Sequence, residues 1–196
     1  SLIRLIPDPK KEILLWDHLN ETSKTLGFLG NQTTAKIFKV FGVNFTFPSY
    51  EKSFRLASNH ILLASELTGH VQSDRKKIFN AIERGNFYFS FDSLGNPKGF
   101  VAYIKQNKKR RLMGERVSFK RGTKLIIDLP SQIAVPLEVQ VFKDGTLYYQ
   151  GDHDHTEVEI KAKGVYRVVI RVRPNLPVPD DRPWLGWIYT NPFYIH

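Results

Sequence analysis

The 196-residue chain reads as α+β, with helices and strands mixed over residues 1–107 and an antiparallel β-sandwich over residues 108–196. Three observations predict this. Helical apolar spacing is confined to two segments before residue 86, alternation of apolar and polar residues takes over after Gly85, and turn residues then recur at short intervals. The sharpest turn is Asp144-Gly145, between LEVQVFK and TLYYQ, because both residues accept the positive φ of a two-residue hairpin.

In chain order, residues 8–24 predict a helix, with Asp8 as N-cap, Pro9 at the first helical position, and Ile13, Leu14, Trp16 and Leu19 mainly on one side. TLGFLG, residues 25–30, is a short apolar run closed by glycine and predicts a buried strand, as does NHILLASEL, residues 59–67. Residues 73–86 predict a second helix: Ser73 or Asp74 caps it, Ile78, Phe79 and Ile82 share a face, and Gly85 ends it. Seven alternating stretches follow, from FYFSFDSL to WIYTNPFYIH, and the predicted domain boundary falls inside NKKRRLMG, residues 107–114. The proline-rich residues 173–183 predict a loop before the last strand.

A hydrophobic content of 41% is enough for a buried core, and no run approaches the ~20 apolar residues of a membrane-spanning helix. No stretch has the order of a signal peptide, and an opening Ser1 leads us to expect a processed product or part of a longer protein. The absence of cysteine excludes disulfides, thiolate nucleophiles and sulfur-ligated zinc, and leaves cytoplasm, periplasm and the extracellular space all compatible. A net charge of +10 favours anionic partners.

GDHDHTE, residues 151–157, raises the question of a metal site, with His153, Asp154 and His155 as candidate ligands. It lies between two strand patterns and lacks a further convergent ligand in the sequence, so it reads first as a polar connecting loop. Residues 105–124 hold nine Lys or Arg and a single acid, Glu115, which makes Lys108, Lys109, Arg110, Arg111, Lys120 and Arg121 candidates for binding an anion or polyanion. Tyr103, Phe119, Tyr148 and Tyr149 are the aromatic residues that could flank such a patch, although aromatic residues in alternating strands ordinarily pack in cores. His60, His70 and Asp92 are isolated titratable groups, no serine lies in a Gly-x-Ser-x-Gly context, and LGNPKG at 94–99 reads as a turn.

The succession LLWDHLNETSKTLGFLGNQTTAK, FPSYEKSFRLASNHILLASEL, IFNAIERGNFYFSFDSLGNPKGFVAYI, MGE, DGTLYYQ, GVYRVVI and WIYTNPFYI resembles the C-terminal portion of PHP-domain (polymerase and histidinol phosphatase) metal-dependent phosphoesterases with an appended β-sandwich. The resemblance implies a partial PHP-like α/β barrel segment of parallel strands over residues 1–107, followed by an antiparallel Ig-like β-sandwich over 108–196. It also implies metal ligands within a Gly-Ser-Asp-Ala-His segment. Here that segment reads Gly30-Asn31-Gln32-Thr33-Thr34, so Gln32 stands at the acid position and Thr34 at the imidazole position. Neither is a strong ligand for a transition metal. The resemblance therefore implies a degenerate centre and a non-catalytic binding or structural module, with no cofactor in this chain. Its alternative is the C-terminal part of an active phosphoesterase, if a preceding region supplies the ligands for a divalent metal. The expected partner is that N-terminal portion or another subunit, since a partial barrel leaves apolar edges uncovered. A third expectation, independent of the resemblance, is a polyanion-binding sandwich.

Overall fold

The computed structural model describes residues 6, 9–30, 36–40, 43–47, 51, 54–130, 133–175 and 184–196, with only the backbone described for 36–40 and 43–47. Gln32 and Thr34 lie outside the described residues, as does Asp8. Helix α1 spans Lys10–Thr22 and follows Pro9. An antiparallel hairpin joins β1, Lys36–Val40, to β2, Val43–Phe47. Strand β3, Ser58–Ile61, is shorter than predicted, and helix α2, Val71–Arg84, leads into β4, Phe87–Ser90.

Alternation then produces ten more strands: β5 Val101–Gln106, β6 Lys109–Leu112, β7 Arg116–Val117, β8 Lys124–Asp128, β9 Leu137–Lys143, β10 Thr146–Gly151, β11 His155–Glu159, β12 Gly164–Val172, β13 Leu185–Thr190 and β14 Phe193–Ile195. They form two sheets. The larger runs β10-β9-β12-β13-β4-β3, with β14 pairing both β12 and β7, and the smaller runs β11-β8-β5-β6. The one parallel pair among the described strands is β14 with β7; β3 and β4, which fall in the expected barrel segment, pair antiparallel.

Period-two spacing builds the core. Ala102, Ile104, Leu125, Ile127 and Val158 of the smaller sheet share one buried cluster with Val139, Val141, Val168 and Ile170 of the larger. The residues between them on the larger sheet, Phe89, Val169 and Tyr189, face the other way and form a second cluster with Trp16 of α1. The molecule is thus layered as sheet, sheet and helix, and its cores lie on both faces of the larger sheet.

The sheets run through residue 107, where the sequence predicts a domain boundary. Asn107, at φ 53°, turns the β5–β6 hairpin, and β5 pairs with β8 as well. β3 and β4 likewise belong to the larger sheet. The first thirty residues are tied to the last thirty by hydrogen bonds: the Tyr194 hydroxyl donates to Asn20 Oδ1 at 2.7 Å in a buried contact, and the Gly27 amide donates to Asn191 Oδ1 at 2.8 Å in a partly buried one.

Two predictions fail locally for a physical reason. Residues 25–30 are not a strand, because side-chain amides take the place of a ladder: Asn191 receives Gly27, while Asn59 both accepts from the Leu29 amide at 3.0 Å and donates to its carbonyl at 2.9 Å. α2 starts before Ser73. Its N-cap is His70, and Asp74 reaches back from the first turn to accept from the Thr68 and Gly69 amides. The predicted C-cap is present, with Gly85 left-handed at φ 81°. Gly114, at φ 81°, abuts that cap so closely that a Cβ would lie 2.1 Å from the Arg84 carbonyl oxygen.

Candidate functional site

GDHDHTE is only partly a loop. Gly151 ends β10, Asp152 to Asp154 make the connection, and His155 begins β11. The Asp154 carbonyl accepts from the Leu129 amide at 2.8 Å, which fixes the turn on β8. Its two imidazoles go to different carboxylates: His153 Nδ1 lies 3.3 Å from Asp152, and His155 Nδ1 lies 2.5 Å from Asp128 Oδ1 on the neighbouring strand. The hydrogen bond from Asp128 raises the His155 pKa above its ordinary 6.5, since a carboxylate favours the imidazolium. Among the described residues no group of three or more His, Asp or Glu is disposed to hold a metal ion. Without a convergent third ligand, the geometry at 151–157 is that of separate histidine–carboxylate contacts on a sheet surface.

The basic stretch is divided by strand alternation. In β5 and β8, Ala102, Ile104, Leu125 and Ile127 face the core, so Tyr103, Lys105, Lys124 and Ile126 face outward. Register places Arg110 opposite Lys105, and Lys105 opposite Lys124, on that outer face. Lys109 and Arg111 fall on the other alternation, and Arg111 pairs with Glu115 at 3.5 Å. Lys108 occupies the hairpin turn, while Lys120 and Arg121 open a second turn in which the Thr123 hydroxyl donates to the Lys120 carbonyl. Gln106 draws the two turns together, because its Nε2 donates to the Ser118 carbonyl at 2.7 Å and to Thr123 Oγ1 at 2.9 Å.

Periodicity in the sequence could have singled out Lys105 and Lys124; their facing positions depend on register, which the sequence does not reveal. Of the aromatic candidates, Tyr103 is 8% exposed beneath the Arg110 guanidinium, which lies 4.7 Å from its ring centroid, and Phe119 packs against the shared core. Tyr148 packs edge-on against Tyr166. The far edge of the same face is acidic. Glu157 holds Lys124 at 2.7 Å, which raises the lysine pKa and lowers that of the acid through the shared hydrogen bond.

A polar cluster joins residues that the sequence shows only singly. His60 Nε2 lies 3.0 Å from Asp92 Oδ1 and 2.9 Å from Ser90 Oγ, Ser90 also donates to Asp92, and the imidazole stacks on Tyr88 at 4.9 Å. The arrangement is not a nucleophilic triad. Such a relay needs the acid and the hydroxyl on different ring nitrogens, whereas here both meet Nε2, and Ser90 is fully buried. Burial, with the Asp92 charge second, pushes the Tyr88 phenol up to about 12. His70 serves instead as the backbone start of α2, its carbonyl accepting from the Asp74 amide at 2.9 Å.

A concavity of about 550 Å³ lies between α1 and the outer face of the larger sheet. Ile13, Leu14, Phe142, Val169 and Tyr189 line it. Both of its arginines are paired with acids, and Lys10 also lines it. Arg167, 3% exposed, donates from Nε and Nη2 to the two Asp17 carboxylate oxygens at 3.1 and 2.7 Å, and Arg171 meets Glu138 at 3.0 Å. The cleft therefore offers apolar surface beside two paired arginines. No family model, curated protein or solved structure matches the chain.

Proposed function

We propose that this chain is a non-catalytic binding or structural module on a PHP-like scaffold, with a metal centre that has degenerated. The observation that carries the reading is Gln32 and Thr34, which stand where the resembled motif has an acid and an imidazole. An amide and a hydroxyl supply neither the charge nor the geometry of a phosphoesterase cluster. The pairing of each described imidazole in GDHDHTE with its own carboxylate supports it, since those histidines do not replace the lost ligands. The cleft beneath α1 supports a binding role because it offers apolar surface, with Arg167 and Arg171 held by Asp17 and Glu138.

Metal analysis of the purified protein, together with turnover of a phosphate monoester, tests the proposal. The expected result is sub-stoichiometric zinc, manganese and iron and no turnover; stoichiometric metal with turnover overturns it. The double substitution Gln32→Asp and Thr34→His is expected to raise metal affinity without weakening any activity. A protein that is already active and unchanged by this substitution has its ligands elsewhere.

A further inference from the structure

We propose that the outer face of the smaller sheet, at its β5–β6 end, is a binding site for the phosphate backbone of a nucleic-acid duplex. The proposal rests on reading the chain as a binding module and names the ligand class.

Cations on a sheet edge ordinarily discourage edge-to-edge pairing, and that explains Arg110 on the edge strand β6. It does not explain Lys105, whereas its neighbour Lys124 already has Glu157 at 2.7 Å. The two lysines sit on the interior strands β5 and β8, directly opposite one another, and Arg110 is directly opposite Lys105 on the other side. Like charges in register across strands are destabilising; Glu157 offsets that cost at Lys124, so it falls mainly on Lys105 beside Arg110. Strands about 4.8 Å apart space Lys105 and Arg110 closely enough for one anionic backbone to meet both. The two turns tied by Gln106 place Lys108, Lys120 and Arg121 at the same end, all exposed. Glu157 and Glu159 lie toward the β11 edge, so the face has a positive end and a negative end, and an anion is directed to the first.

The ligand's class follows from what accompanies the charges. Binding to single strands relies on exposed aromatic rings that stack bases. Here Tyr103 is covered by Arg110, and Phe119 is part of the core packing. What remains is a set of mainly lysine point charges on flexible stems, suited to phosphates but offering no fixed fork for reading base edges. A duplex, with a charge about every 1.7 Å of its axis, presents several phosphates to the row in any register. Recognition is then independent of sequence.

Fluorescence anisotropy with a labelled DNA duplex of about 20 base pairs tests the site. Binding is expected to weaken on the order of a hundredfold between about 50 and 200 mM salt, as for roughly four displaced counterions. Lys105→Glu is expected to weaken binding about tenfold and to lower the salt slope by at least about one. Lys11→Glu on α1, the same change of charge on the opposite layer, is expected to stay within about twofold, which separates a site from the effect of net charge. Circular dichroism of each variant confirms folding. Equal losses for the two variants, no binding of the duplex, equal or tighter binding of the single strand, or binding of heparin alone each overturn the proposal. Failure to bind the duplex by a protein without phosphatase turnover rejects the ligand and leaves the module reading standing; turnover with stoichiometric metal rejects the module reading.

Discussion

Arg167 shows how one buried charge can fasten two layers. Its guanidinium lies over the Phe142 ring at 4.7 Å, within 5.8 Å of Trp16, and its two bonds to Asp17 run from β12 to α1. Removing the acid leaves the cation buried and unpaired, which costs far more than the pair contributes. Asp17→Ala is therefore expected to lower unfolding stability by about 3 kcal/mol or more, read as a fall in the urea midpoint. His155 makes the opposite kind of pair, exposed and proton-dependent. Its folded pKa is raised by Asp128, so the contact contributes fully below the unfolded value of 6.5 and is lost as pH rises through the higher folded value. An NMR titration should place the His155 midpoint above the ordinary imidazole range, and Asp128→Asn should bring it back down; an unchanged midpoint in the variant would contradict the pairing.

At the scale of elements, α2 is the least supported. Of its fourteen residues only Ala81 is buried, and Val71 and Phe79 are exposed at 79% and 51%. A helix of that length gains little from propensity alone, so its end contacts have a large influence. Asp74 holds the N-terminal end by accepting from Thr68 and Gly69, contacts that lower its pKa, with the Thr68 amide the largest cause. Their stabilisation is present above the ordinary carboxylate range and is lost as pH falls through the lowered pKa. Hydrogen exchange should accordingly be faster across α2 than in β12, and faster still in the first turn of Asp74→Ala. This helix was legible in sequence because its apolar spacing and Gly85 are local signals, as was the Asp144-Gly145 hairpin, whose residues take φ 48° and 76°. Residues 25–30 were not. Their partners Asn59 and Asn191 are 30 and 164 residues away, and apolar content does not distinguish a ladder from a segment held by side-chain amides. The candidate site was legible as a charge run, but which cations share a face required the β5–β6 and β5–β8 registers.

Across the whole molecule, apolar exposure is uneven in a way that bears on partners. Among the described residues, Leu14, Leu15, Leu19, Phe28, Phe54, Leu67, Val71 and Phe79 are exposed large hydrophobic groups, all before residue 87, and Leu147 alone follows. We expect these groups to favour association, since exposed apolar surface gains by being covered. A second copy could provide that cover, but at a net charge of +10 the copies repel each other at low ionic strength. The two surfaces should therefore respond oppositely to salt. Sedimentation velocity is expected to show self-association that increases with protein concentration and with added salt, because screening removes the repulsion while apolar contact persists. Duplex binding at the cationic face should weaken over the same range. Phe79→Lys is expected to reduce self-association while leaving duplex affinity unchanged, and Lys105→Glu to do the reverse. A chain that stays monomeric at every concentration and salt, with a sharp thermal transition, would show that its exposed apolar groups need no cover.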